Sequence, residues 1–185
     1  MENQDKFNLY KKLLCEWSTR MNLVAPSTLY DIDNRHIADS AQLADFLPKN
    51  ADIIDMGSGA GFPGVVLAVL GWRVTCIESI GKKVKFLTAV KNELQLDNLT
   101  IYHGRVEDYI SRLLPAKKYV FTARAFAALS KILDYVSPVD YELFLLKGVG
   151  VLNEINVAKQ KYRFDYELFP SKTGDGFITI VKKSR

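Results

Sequence analysis

From residue 5 to residue 21 apolar side chains recur every three or four positions, at Phe7, Tyr10, Leu14, Trp17 and Met21, which predicts an amphipathic helix. A second helix is predicted from Arg35 to Leu47, ended by Pro48. From Ala51 onward the period changes. Short apolar, β-branched runs, ADIID (51–55), WRVTCI (72–77), LTIYH (99–103), YVFTA (119–123) and YELFLL (141–146), alternate with helical stretches. The stretches follow Pro63, span Lys82 to Leu96, lie near Val106 to Leu114, and span Ala127 to Tyr135. Strand and helix in this rhythm call for a parallel sheet covered on both faces. The tail breaks it: Arg163–Phe169 and Phe177–Lys182 flank SKTGDG and predict a closing hairpin with an antiparallel strand. The expected organisation is one α/β domain over 1–185, with N-terminal helices in 1–50 and a doubly wound sheet in 51–185.

Composition agrees with a single globular domain. The chain has 185 residues, 48% of them hydrophobic and 25% charged, with a mean hydropathy of −0.02. Its longest apolar stretch, Phe62 to Gly71, is too short for a bilayer, which needs about 20 residues. The N-terminus lacks a basic start followed by an apolar region, so a cytoplasmic location is expected, with no membrane partner. Cys15 and Cys76 have neither CxxC nor Cys/His spacing, so no metal site is expected and both read as core fillers. Net charge is +4, and residues 111–185 hold the whole surplus, 13 basic against 7 acidic side chains.

The strongest chemical signal is IIDMGSGAGFPG, Ile53 to Gly64, at the first strand–helix junction. Gly57, Gly59, Gly61 and Gly64 allow a tight turn and close approach of backbone to a ligand, and Pro63 suits an early helical position. Gly59, Gly61 and Gly64 also satisfy GxGxxG, so a dinucleotide is one candidate. Asp55, two residues before Gly57, would repel a pyrophosphate. S-adenosylmethionine carries a sulfonium and an ammonium and no phosphate, and it tolerates a nearby carboxylate. Glu78, closing the second strand, suits ribose hydroxyls in either case.

Beyond this loop the chain resembles the bacterial small-subunit ribosomal RNA guanine-N7 methyltransferases, the glucose-inhibited division protein B family. The resemblance rests on MNLVA (21–25), RHIADS (35–40), DMGSGAGFPG (55–64), ESIGKKVKFL (78–87), GRVEDY (104–109), ARAFA (123–127) and LLKG (145–148). It implies a Rossmann-like, seven-stranded class I S-adenosylmethionine-dependent methyltransferase fold with an N-terminal helical extension. It also implies methyl transfer from S-adenosyl-L-methionine to N7 of one guanine in 16S rRNA near the decoding site. The partner is then 16S rRNA or the small ribosomal subunit, and a monomer is expected. Carried over position by position, Gly57 and Phe62 match cofactor contacts, with Gly59 and Gly61 shaping the turn. Glu78 matches the ribose position, Val106 and Glu107 the pair beside adenine, and Arg124 a further cofactor-site position. The chain departs from the family in its short segment before Phe7, in Val24, where a threonine is usual, and in Phe177, near usual basic residues.

Guanine N7 already carries an unprotonated lone pair, so its methylation needs no general base. Positioning alone can contribute about 7–11 kcal/mol. The chain has Ala123-Arg124-Ala125-Phe126 after the fourth strand instead of the Asn- or Asp-Pro-Pro-aromatic tetrapeptide of adenine amino methylation. Neither cysteine is placed to attack a cytosine carbon. Arg124 and Lys147 end the fourth and fifth strands and are the candidates for orienting the guanine or its phosphates, with a structural ion pair as the competing role for Arg124 and simple solvation for Lys147. Arg105 suits RNA or a neighbouring carboxylate, and Lys82, Lys83 and Lys85 suit phosphates or solvent. Asp33 or Asn34 is expected to cap the second helix and Asp39 to pair with Arg35 four residues back. Arg35 and His36 suit an RNA-facing edge or a structural role, and Phe126 suits a flipped base or the core. A class I methyltransferase acting on a small molecule or protein and a dinucleotide-binding module remain as alternatives.

Overall fold

A computed structural model describes residues 1–184, so Arg185, part of the basic C-terminal end, lies outside the described residues. The strands are β1 (Asp52–Met56), β2 (Arg73–Glu78), β3 (Leu99–His103), β4 (Lys118–Arg124), β5 (Asp140–Lys147), β6 (Phe164–Pro170) and β7 (Phe177–Lys183). They form one seven-stranded sheet in the order β3-β2-β1-β4-β5-β7-β6. β1 to β5 pair in parallel, whereas β7 runs antiparallel to both β5 and β6. The chain moves outward from β1 to β3, then returns to β1's other side with β4, so the sheet's switch point lies between β1 and β4. Ligands of such sheets bind beyond the carboxyl ends of the strands at that point.

The helices are α1 (Asn3–Ser18), α2 (Asp39–Ala41), α3 (Gly64–Val69), α4 (Gly81–Glu93), α5 (Val106–Ile110), α6 (Leu129–Val136) and α7 (Val151–Lys159). Strand alternation sends Ile53 to one face of β1 and Ile54 and Met56 to the other. The first face packs with Tyr10 and Leu14 of α1, with α3, and with Phe86, Leu87 and Val90 of α4. The second packs with Leu129, Ile132 and Leu133 of α6 and with Val151, Ile155 and Ala158 of α7. Every strand expected from the sequence is present, with ends shifted by about one residue. Helix α7 is an addition to the elements expected from the sequence, and its three buried residues carry the helical spacing.

Several local expectations are corrected. Cys15 is exposed, because it lies one residue, about 100° of helix, beyond the buried Leu14. The second helical run is compound: a π-helix over Asp33–Ala38, then α2, then a 3-10 turn over Gln42–Asp45. A π-helix closes i→i+5 hydrogen bonds, so residues four apart do not stack as in an α-helix. Asp39 accordingly pairs with Arg124 instead of Arg35. Neither Asp33 nor Asn34 caps: Asp33 pairs with Lys11 at 2.9 Å, and Asn34 donates to Asp31 at 2.8 Å.

Helix α1 reaches the glycine loop directly. Tyr10 is fully buried, its hydroxyl donates to the Ala60 carbonyl at 2.5 Å, and its ring lies 5.3 Å from that of Phe62. Tyr10→Phe keeps the ring and leaves that carbonyl without its donor. The expected cost is about 1–2 kcal/mol of stability, with affinity for S-adenosylhomocysteine lowered by about tenfold as the loop loosens. Thermal melting and titration calorimetry measure the two effects.

Candidate active site at the carboxyl edge of the sheet

The glycine loop leaves β1 after Met56 and enters α3 at Gly64. Gly57 has φ +67°, and a Cβ there would lie 2.2 Å from Cδ2 of Phe126. The backbone therefore runs hard beneath that ring, and only glycine fits. At Gly64 a Cβ would meet Cys76 Sγ at 2.5 Å and Asp55 Oδ2 at 2.6 Å, which fixes how closely α3 packs on the sheet.

Carboxylates already engage the loop's amides. Asp55, fully buried, turns under the loop and accepts from the Gly64 N–H at 3.1 Å. Glu78 Oε2 accepts from the Gly59 N–H at 2.9 Å and Oε1 from the Ile80 N–H at 2.8 Å. The Gly61 N–H bonds the Ser58 carbonyl at 2.7 Å. Asp55 thus sits at the start of α3 instead of facing a ligand, and this position weakens the dinucleotide alternative further. A pyrophosphate would need the amide that Asp55 holds. Burial pushes the Asp55 carboxyl up to about 6, with the Ser58 and Gly64 hydrogen bonds acting in the opposite direction. Its Oδ1 is buried without a partner among the described residues. Burial and Asp55 raise the nearby Cys76 thiol well above its ordinary value.

Two cavities open at this edge. The smaller, about 220 Å³, is bounded by Gly57, Gly59, Glu78, Lys83, Arg105, Val106, Glu107, Ala125 and Phe126. The larger, about 590 Å³, is bounded by Arg35, Asp39, Arg124, Ala125, Phe126, Lys147, Glu154 and the loop between β6 and β7. They share Ala125 and Phe126. Ala125 stands at φ +49°, left-handed backbone for a residue with a Cβ, directly after β4. A third cavity, about 770 Å³, opens at the strands' amino edge among Asp52, Arg73, Asn98 and Lys118, away from the loop.

The smaller cavity brings together Gly57, Gly59, Glu78, Val106 and Glu107. Gly61 and Phe62 are not on its wall. The Phe62 ring is turned away and buried, stacked on His36 with centroids 4.9 Å apart and covered by the Arg124 guanidinium at 4.9 Å. Arg124 faces the larger cavity, where it donates to the Arg35 carbonyl at 2.9 Å and to Asp39 Oδ2 at 3.2 Å, and bonds His36 Nδ1 at 2.7 Å. Lys147 donates to the Ala127 carbonyl at 2.6 Å and to Glu154 Oε2 at 2.7 Å. Both ends of the expected substrate pair are thus held by ion pairs while lining a cavity. Phe126 is half-buried, and its ring lies 5.9 Å from that of Tyr135.

A guanidinium has no lone pair, so His36 Nδ1 must accept, and Nε2–H donates to Thr28 Oγ1 at 2.8 Å. Burial, and then Arg124, lower the His36 pKa from 6.5 to about 4. The folded state therefore keeps this ring neutral where the unfolded chain would protonate it. That stability is present above pH 6.5 and is lost as pH falls toward about 4. Asp55 acts in the opposite sense, its contribution being present below pH 3.8 and lost as pH rises through about 6. His36→Gln is expected to remove about 2 kcal/mol of acid destabilisation, allowing for the open cavity nearby. Denaturant melts across that range would then show stability falling with rising pH, the slope left by Asp55.

Some residues of the larger cavity carried no sequence signal. Asp39 Oδ1 accepts from Thr173 Oγ1 at 2.9 Å, and Gln42 reaches Ser171 at 3.0 Å, so the β6–β7 loop is tied to the compound helix more than 120 residues earlier. Glu154 lies on α7, outside the elements expected from the sequence. The basic surplus is mostly paired or dispersed: Lys118 and Lys182 share Glu142, Lys161 pairs with Asp134, and Lys172 with Asp45. Arg105, Lys82, Lys83 and Lys85 make no ion pair among the described residues. No helix is long and apolar enough to cross a membrane, and no group of metal-ligating side chains forms a metal site, among the described residues.

This strand order, with the glycine loop at its switch point, defines a class I S-adenosylmethionine-dependent methyltransferase fold. A mutant MtNAS solved in complex with S-adenosylmethionine superposes with TM-score 0.63 at 16% identity, over 99% of this chain and 76% of that one. An rRNA methylase from Streptococcus thermophilus superposes with TM-score 0.57 at 12% identity, over 79% of this chain and 94% of that one. Sequence narrows the class. Residues 3–173 match the family described as GidB, rRNA small subunit methyltransferase G, and the chain belongs to that family. Two ribosomal RNA small subunit methyltransferases G are among its curated relatives. The one from Dinoroseobacter shibae is 43% identical over 90% of this chain and 88% of its own length. The one from Hyphomonas neptunium is 40% identical over 98% and 88%. The chain is accordingly an S-adenosylmethionine-dependent methyltransferase.

Proposed function

We propose that the chain transfers a methyl group from S-adenosyl-L-methionine to N7 of a specific guanine in 16S rRNA near the decoding site. The observation that carries this reading is the pair of adjoining cavities that meet at Ala125–Phe126 beside a loop whose amides are held by carboxylates. The smaller cavity suits the adenosine end of the methyl donor and the larger one the base. When bound, the donor supplies a methyl group already activated on a sulfonium. Glu78 retains free lone pairs for ribose hydroxyls, Gly57 and Gly59 form the floor, and Val106 with Glu107 flank the adenine. Arg124 and Lys147 stand on the acceptor side, each beside its carboxylate partner, and the reaction requires no side chain to remove a proton from N7. Phe62 and Gly61 act at one remove, by fixing the loop.

In this reading 1–185 works as one methyltransferase domain, a monomer acting in the cytoplasm, where small subunits assemble. The occupied loop amides disfavour a dinucleotide, and the RNA assay separates a small-molecule acceptor. The test is incubation with methyl donor and 30S subunits or 16S rRNA, followed by aniline cleavage to map N7-methylguanine. One new modified guanine is expected. Modification elsewhere only, or none despite donor binding, would refute the reading. Binding to RNA should weaken steeply with salt through counterion release, whereas a small acceptor would give a flat dependence.

A further inference from the structure

Lys147 and Glu154 stand side by side on the wall of the larger cavity, one from the end of β5 and the other from the first turn of α7. We propose that together they read the Watson–Crick edge of the acceptor base, Lys147 donating to guanine O6 and Glu154 accepting from guanine N1–H. This inference rests on the guanine-N7 reading above and adds the device that selects the base.

Hydrogen-bond accounting supports it. The Lys147 ammonium carries three N–H donors. Two are used, on the Ala127 carbonyl at 2.6 Å and on Glu154 Oε2 at 2.7 Å. Glu154 Oε2 also accepts from the Leu129 N–H at 2.7 Å, so that oxygen is committed. Oε1 takes no protein donor among the described residues, and the side chain is 29% exposed toward the cavity. One donor and one acceptor therefore remain free on adjacent groups. Their positions are fixed by the Leu129 amide at the start of α6 and by a lysine side chain that is only 10% exposed.

The order of the pair is what discriminates. Guanine presents an acceptor, O6, beside a donor, N1–H. Adenine presents a donor, the N6 amino group, beside an acceptor, N1. A lysine beside a carboxylate complements guanine. Against adenine it sets ammonium on amino and carboxylate on a ring lone pair. Uracil shares guanine's pair but has no N7. A base held this way keeps N7, on the far side of O6 from N1, clear of both side chains. Enzymes that act on extruded bases read them through this edge, and a buried polar group left unpaired by the wrong base makes the rejection strong.

The experiment uses small subunits reconstituted with 16S rRNA in which the target guanine is kept or replaced by inosine or 2-aminopurine. Inosine retains O6 and N1–H, whereas 2-aminopurine lacks both and keeps N7. The wild-type chain is expected to methylate inosine within about fivefold of guanine and to lose about 10³-fold on 2-aminopurine. Glu154→Gln should lose about 10²-fold on guanine, hold S-adenosylhomocysteine affinity within about twofold, and shrink the 2-aminopurine penalty below about tenfold. A merely structural carboxylate would lower the rates and leave that penalty whole, and this outcome in a cooperatively melting variant would overturn the assignment. Lys147→Met, which keeps the stem and removes the donor, should shrink the penalty likewise and carries the test if Glu154→Gln does not melt cooperatively. If the wild-type chain places no methyl on guanine N7 in any subunit, the parent reading fails. If it does so and the variants keep full discrimination, only the Lys147–Glu154 assignment fails.

Discussion

Glu78→Ala should abolish useful donor binding, with affinity for S-adenosylhomocysteine falling by about 10²–10³-fold. The carboxylate closes β2 and is nearly fully buried, yet both oxygens are engaged by backbone, the Gly59 N–H at 2.9 Å and the Ile80 N–H at 2.8 Å. Truncation leaves two sheltered amides without an acceptor, at about 1–3 kcal/mol each. It also removes the lone pairs available to a ribose. A carboxylate has about four acceptor sites, so satisfying two amides leaves capacity for two hydroxyls. Calorimetry with S-adenosylhomocysteine and a filter assay for RNA should separate the effects: donor affinity lost, RNA affinity within about threefold of wild type. Donor affinity that survives the substitution would remove Glu78 from the donor site.

Arg124→Ala is expected to show the complementary pattern, methyl transfer reduced by about 10³-fold while S-adenosylhomocysteine affinity changes by less than about fivefold. The guanidinium lines the larger cavity and not the smaller one, and it joins the Arg35 carbonyl, Asp39, His36 and the face of Phe62. Its loss leaves Asp39 facing the cavity without its cation and His36 Nδ1 without a donor. Stability should therefore fall by about 2 kcal/mol. Arg124→Lys should recover little activity, because a compact ammonium cannot serve three acceptors spread around a planar fork. Equal losses in donor affinity and transfer would instead place Arg124 on the donor side, as the family resemblance implies.

What the sequence revealed followed the range of the forces involved. Strands and helices of the sheet were legible because burial on both faces demands continuous apolar runs, and the glycine loop because a tight turn demands residues without Cβ. Helix α7 lies between two louder signals, and only Val151, Ile155 and Ala158 mark its buried face. Asp39 pairs with Arg124 and not Arg35 because the π-helical winding of Asp33–Ala38 is set by tertiary packing, which local spacing does not encode. Phe62 illustrates the same limit. Its place in the loop was plain, but the direction of its ring depends on Tyr10 and His36, residues from two other segments. The wall of the larger cavity is assembled from segments as distant as Asp39 and Thr173, so no short motif announces it.

The carboxylates on the loop amides also bear on how the enzyme works amid the cell's nucleotides. ATP, NAD and coenzyme A all carry the adenosine unit that the methyl donor carries, so recognition of adenine and ribose alone would leave the site open to them. Each brings a polyanion to the place where the loop meets α3. There, Asp55 already holds the Gly64 amide. A competing phosphate would have to displace a hydrogen bond to a charged group, about 1.5–3 kcal/mol, while approaching a like charge. Selectivity for a phosphate-free adenosine compound is thus built into the loop before any ligand arrives.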